Sequence, residues 1–192
     1  PEYFPDSIWF DDFPRVTSAR TIALDPSKGR DSKSGDYAAF ALLAITADGT
    51  LWVEGDLFRG QSAEYLADVA LAHCRHFHPD ALSVETNQFQ QLFASIIDLK
   101  ARVAGQLVPI VQVNNTVAKQ VRIRRLGPYL AQGRLRFRNT PGTRLLVQQL
   151  QEFPVGPHDD GPDALEMALR ALGGLMEGTA DEEDEATILD PL

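Results

Sequence analysis

Three apolar runs open the body of this chain, and the links between them constrain the fold more than any other feature. Thr21–Asp25, residues 37–46 and Leu51–Phe58 each read as a strand. The first link, residues 26–36, is polar and carries two glycines, and the second contains the hairpin signal Asp48-Gly49. The pattern predicts a three-stranded antiparallel meander. Beyond Phe58 the apolar period changes. Residues 62–76 read as a helix with Ser62 as N-cap, an apolar face of Leu66, Val69, Ala70 and Cys74, and a stop at Pro79. Residues 81–85 are a short strand, and 88–103 a second helix closed by Gly105. A strand over 107–113, a helical stretch over 116–131 broken near Gly127-Pro128, a strand over 135–138 and a helix over 143–151 complete the series. A meander followed by β–α alternation implies an α/β fold, a mixed sheet with helices on both faces. Ligands of such sheets sit at the carboxyl ends of strands.

The last helical stretch starts unusually. His158-Asp159-Asp160-Gly161-Pro162-Asp163 leads into Ala164, Leu165, Ala168, Leu169 and Leu172, the apolar face of a helix expected to end at Gly173-Gly174. One acid at a helix start is explained by capping and the dipole. Three beside a histidine are not, and clustered oxygen ligands are what a hard divalent cation needs. Asp160 and Asp163 are three apart and share a face. Asp25 and Glu85 each end a strand; a single acid there is usually only a polar turn residue. Acids at the ends of the first and fourth strands and at the start of the last helix form a joint pattern. If those strands are neighbours, the acids face one point.

Charge is segregated. The net charge of −9 comes mostly from Glu177, Asp181, Glu182, Glu183, Asp184, Glu185 and Asp190, a stretch without a base. Residues 174–192 therefore read as an acidic, disordered tail. Conversely, from Lys100 to Arg144 there is no Asp or Glu. Within that window Lys119 and Arg122 fall at helical spacing, with Arg125 close behind. Arg134, Arg136 and Arg138 alternate with Leu135 and Phe137, so they share a strand face. Solvated faces usually mix signs, so these six residues are expected to contact DNA phosphates, with little base reading.

Other features have plainer readings. Residues 1–20 carry three prolines and clustered aromatics and read as a linker or arm packing Trp9 and Phe10 on the body. The single cysteine, Cys74, excludes an internal disulfide. His73, Cys74, His76 and His78 lack the spacing of a structural zinc site. His158 adjoins the acids and could contact phosphate or hold a ligand from behind. No apolar run is long enough to span a bilayer. The chain starts at Pro1, which reads as a domain of something longer.

Taken together, four segments resemble the RNase H-like nuclease superfamily, and within it the nuclease domain of phage large terminase subunits. They are Asp25-Pro26 with Gly35-Asp36-Tyr37-Ala38-Ala39; Val84-Glu85-Thr86-Asn87; His158-Asp159-Asp160 with Asp163-Ala164-Leu165; and Lys119 through Arg122-Ile123 and Leu126 to Gly133-Arg134-Leu135-Arg136-Phe137. The resemblance covers 21–172 and implies an RNase H-like domain over 21–173. It implies Asp25 and Glu85 as metal ligands, with a third from Asp160, Asp163 or Asp159, in that order. It further implies two Mg²⁺ or Mn²⁺ ions and hydrolysis of double-stranded DNA, with Asp25, Glu85, Asp160 and Asp163 catalytic. Expected partners are an upstream ATPase domain of the same polypeptide, the portal and the small terminase subunit, in the cytoplasm of a bacterial host. A Holliday-junction resolvase or transposase-like nuclease, and a non-catalytic DNA-docking module, are the alternatives.

Overall fold

A computed structural model describes residues 3–26, 37–85, 88–113 and 116–187, the side chains of 85, 88–92, 112 and 178–187 excepted. Seven strands form one mixed sheet in the order β1-β7-β4-β3-β2-β5-β6. The meander is as expected: β2 (Ala19–Asp25), β3 (Ala38–Ile45) and β4 (Leu51–Phe58) pair antiparallel. β5 (Ala81–Glu85) pairs parallel with β2, and β6 (Ile110–Val113) parallel with β5. On the other side β7 (Leu135–Arg138) pairs parallel with β4. The carboxyl ends of β2, β4, β5, β6 and β7 therefore share one edge of the sheet.

Side-chain alternation divides the core in two. Ile22 and Leu24 of β2, with Phe40 and Leu42 of β3, pack against α1 (Ala63–Phe77) and α2 (Gln88–Val103). Ala23, Ala39, Ala41 and Leu43 face α5 (Pro141–Glu152) and α6 (Asp160–Thr187). Being odd-numbered in β2, Thr21 lies on the α6 face with Ala23, and its hydroxyl donates to the Ala168 carbonyl at 2.9 Å. Asp25 has the same parity. This pleat decides which helices the strand-end acid can meet.

Two close approaches set α5 and α6 on that face. A Cβ at Gly142 would stand 2.5 Å from the Gly55 carbonyl oxygen, so the start of α5 lies directly on β4. Thr143 reinforces the contact by accepting from the Gly55 amide at 2.9 Å. Gly161 nestles between Gln149 and Leu146 of α5, and its amide donates to Gln149 Oε1 at 2.8 Å.

The structure departs from the sequence expectations in four places. The N-terminal arm is part of the sheet: β1 (Trp9–Phe10) pairs parallel with β7. β6 starts at Ile110, because Pro109 has no N–H for the ladder. The helical stretch after residue 116 splits into α3 (Lys119–Ile123), a 3₁₀ turn Arg124–Leu126, and α4 (Gly127–Ala131). Pro128 cannot supply the helical N–H, so the chain restarts there. Finally, α6 does not stop at Gly173-Gly174 but runs to Thr187, through most of the segment expected to be disordered. Two glycines weaken a helix by about 1 kcal/mol each, too little to break one whose apolar face is docked on a sheet.

Cys74 is buried in the α1 side of the core, and burial pushes its thiol up to about 11. The folded protein should therefore react with a thiol-exchange reagent at pH 8 only as fast as it opens, and denaturant should release a rapid full equivalent. Gly142→Ala should be destabilising by about 1–3 kcal/mol through overpacking, read as a lower melting temperature in calorimetry.

Candidate active site

Four of the expected acids, Asp25, Asp159, Asp160 and Asp163, come together around one point. Asp25 ends β2, and Asp160 and Asp163 lie in the first turn of α6, which crosses β2 and β3. All three are buried, and Asp159 is half-buried beside them. One atom marks their meeting point. Lys119 Nζ lies 2.9 Å from Asp159 Oδ1, 3.2 Å from Asp25 Oδ2, 3.3 Å from Asp160 Oδ1 and 3.7 Å from Asp163 Oδ2. Asp160 is held from behind as well, because the Tyr37 amide donates to its Oδ2 at 2.9 Å. Burial alone would lower the Lys119 pKa. The fields of Asp25, Asp160 and Asp163 and the hydrogen bond to Asp159 overcome it and hold the pKa above the ordinary lysine range. The register Leu24↔Val84 sets the backbone of Glu85 beside that of Asp25, while its side chain lies outside the described residues.

Below this point the contact continues along α6. Arg122, 4% exposed, faces Asp163 with Nη1–Oδ1 at 3.0 Å and Nη2–Oδ2 at 3.1 Å. Arg125 Nη1 donates to Glu166 Oε1 at 3.1 Å, and Arg170 approaches the other Glu166 oxygen at 3.5 Å. Lys119, Arg122 and Arg125, spaced by three, thus oppose Asp160, Asp163 and Glu166, also spaced by three. Glu166 is a residue the sequence reading missed, although the equal spacing of the two series was the available signal.

These contacts correct the expected phosphate surface. Arg122 is an internal counter-charge, not a surface residue, and Lys119 points into the acids. Arg136 and Arg138 do share a strand face. It is the face opposite Leu135 and Phe137, which pack on the α5–α6 side, so these arginines lie across the sheet from Asp25. Arg138 pairs with Glu54 at 2.9 Å and Arg136 donates to the Gly133 carbonyl. Arg134 donates twice to the Gly49 carbonyl, at 2.9 and 2.7 Å. Arg125 alone of the six combines a place beside the acids with a half-exposed side chain.

His158 borders the site. Its Nε2 is 2.9 Å from Arg59 Nη2, its ring meets Tyr37 edge-on, and the Arg59 guanidinium lies 4.1 Å above the Tyr37 ring. A groove opens here, lined by Tyr37, Arg59 and His158 together with Gln148, Glu152 and Val155. The α1 histidines serve local roles. His73 faces Asp56 at 3.4 Å, and His76 Nδ1 lies 2.7 Å from the Ala72 carbonyl.

Residues 22–172 match the terminase RNaseH-like domain. The chain belongs to that family. No curated protein matches its sequence. The terminase-type domain is similar in structure to the HK97 bacteriophage large terminase, with TM-score 0.64, 13% identity, and 88% of this chain and 43% of that chain covered. It thus spans less than half of that protein's length. It is also similar to the large terminase nuclease from thermophilic phage G20c with bound magnesium (TM-score 0.60, 15% identity, covering 82% of this chain and 83% of that one). A third likeness is to the fowlpox virus Holliday junction resolvase (TM-score 0.52, 11% identity, 81% and 99%). At such identities the likeness is one of fold, and it makes the seven-stranded mixed sheet with its flanking helices an RNase H-like fold.

Removing Arg122 should expose the cost of the terminase-type domain's buried acids. Arg122→Met removes the guanidinium that faces both Asp163 oxygens at 3.0 and 3.1 Å. We expect a loss of about 3 kcal/mol, the lower end for breaking a buried pair, measured by urea unfolding. The double variant with Asp163→Asn should recover much of it.

Proposed function

We propose that this domain is the divalent-metal-dependent endonuclease of a phage DNA-packaging terminase, cutting concatemeric double-stranded DNA with little sequence preference. One observation carries the reading. Carboxylates from a strand end and from a helix start far away in the chain are brought within 4 Å of a single point, beside the carboxyl end of β5. Stability alone does not favour gathering four like charges; a function for a cation there does.

The donor set fits a hard metal in kind, since among the described residues the acidic groups that face the point offer carboxylate oxygens. In their present arrangement these acids are spaced around an ammonium. Among the described residues no three His, Cys, Asp or Glu side chains are grouped as a metal site. Asp25, Glu85 and Asp160 would hold Mg²⁺ or Mn²⁺, with Asp163 or Asp159 completing the set. Two such ions supply acidification of a bound water and charge neutralisation at a phosphodiester. The chain's own residues do the rest. The Tyr37 amide fixes Asp160, Arg122 fixes Asp163, and docking of α6 on β2 keeps both acids facing Asp25. Arg125, at the edge of the site, and Arg59 with His158 in the adjoining groove would hold backbone phosphates, contacts that carry no sequence information.

The substrate would be delivered by an ATPase domain upstream in the same polypeptide, with the portal and small terminase subunit as further partners, in the host bacterial cytoplasm. No described helix is long and apolar enough to cross a membrane. A second reading, junction resolution, is favoured by the fold likeness to the fowlpox virus resolvase, nearly all of which is covered.

The test is plasmid nicking in Mn²⁺. Asp25→Asn and Asp160→Asn should each lower the rate by more than about 100-fold, beyond what an outer partner of a ligand costs. Both variants should stay folded by circular dichroism, since three of the four acids still face Lys119 in each. Wild-type rates in both would place the chemistry elsewhere, and preference for four-way junctions over linear duplex would select the second reading. Absence of nicking by the wild-type domain in either metal would leave the non-catalytic docking module.

A further inference from the structure

We propose that Lys119 is the resident counter-ion of the acid cluster, an internal cation that a divalent metal must displace before it can bind. The inference rests on the reading of these acids as metal ligands and assigns this lysine a role against that metal.

The geometry is that of an occupant. An ammonium has three protons and no other hydrogen-bonding capacity. Carboxylate oxygens of three residues, Asp159, Asp25 and Asp160, lie at 2.9, 3.2 and 3.3 Å from Nζ, enough to take all three. The fourth acid, Asp163, is held chiefly by Arg122 and reaches Nζ only at 3.7 Å. A lysine contacting phosphate from the rim would turn its head outward to solvent. This one has its head at the point where acids from β2 and α6 converge, the position a metal would take for itself.

Charge explains why the arrangement is both stable and replaceable. Lys119 and Arg122 set two positive charges against four carboxylates. The fold can therefore form without metal, yet the cluster keeps a negative excess that favours exchanging a monovalent for a divalent cation. The scaffold is suited to the exchange. Lys119 is the first residue of the five-residue α3, where no side chain caps the helix. Arg122 and Ile123, both buried, anchor the same helix from its other end. The lysine head can swing out on its four-carbon stem while α3 stays docked, and its charge would then be free to meet a phosphate arriving with the metal.

The experiment is Mn²⁺ titration by calorimetry on the full chain, without DNA, for the wild type, Lys119→Met and Asp160→Asn. Lys119→Met should bind Mn²⁺ at least about tenfold more tightly than the wild type. It should also melt at a lower temperature in EDTA and gain more in melting temperature from saturating Mn²⁺. Equal affinities in the wild type and Lys119→Met, with binding lost in Asp160→Asn, would overturn the displacement while leaving the metal site standing. Absence of Mn²⁺ binding in all three would remove both. Should Lys119→Met fail to fold, the wild type answers by reductive methylation and peptide mass spectrometry of its four lysines. Labelling of Lys119 should accelerate severalfold on adding Mg²⁺, and an unchanged rate would overturn the proposal.

Discussion

The structure depends on a three-rung set of opposite charges between α6 and the segment Lys119–Leu126. Lys119 meets Asp160, Arg122 meets Asp163 and Arg125 meets Glu166. The acids of all three rungs are buried, so each would be costly alone. Pairing turns three liabilities into a register device: a shift of either segment by one residue would separate all three pairs at once. The device holds the start of α6 against the end of β2, and that placement creates the site.

Around it, α6 works through two faces. Ala164, Leu165, Ala168 and Leu172 close the core over β2 and β3, while Asp160, Asp163 and Glu166 look toward α3 and the turn after it. The close approaches at Gly142 and Gly161 leave α5 and α6 little freedom to slide. A carboxylate cluster needs such rigidity, because its members repel unless a cation and fixed backbone donors hold them. Tyr37, the first described residue after the β2–β3 link, supplies one such donor through its amide, so the meander itself supports the acids.

Much of this was legible in the sequence for identifiable reasons. The meander and the β–α series come from hydrophobic period and turn residues, which are local. The convergence of Asp25 with Asp160 and Asp163 came from acids placed at strand ends and at a helix start, positions that share one edge in a mixed sheet. The basic window was misleading for an equally physical reason. Its lack of acids in sequence says nothing about acids brought in from other elements. Arg122 and Arg125 find theirs on α6, Arg138 on β4, and Arg134 binds a carbonyl. Gly173-Gly174 misled too, since intrinsic propensity is weaker than the docking of a long apolar face.

By itself the amino-acid sequence determined the element types from the meander to the start of α6, the sheet's antiparallel half, the family's motifs and the identity of the acids, because each is written in local spacing and side-chain chemistry. Tertiary structure alone decided which cations those acids hold. Ion pairing depends on distances between segments dozens of residues apart, set here by the pleat of β2, the docking of α6 and two glycine contacts. Only there does Lys119 change from an apparent surface charge to the ammonium at the centre of the carboxylates.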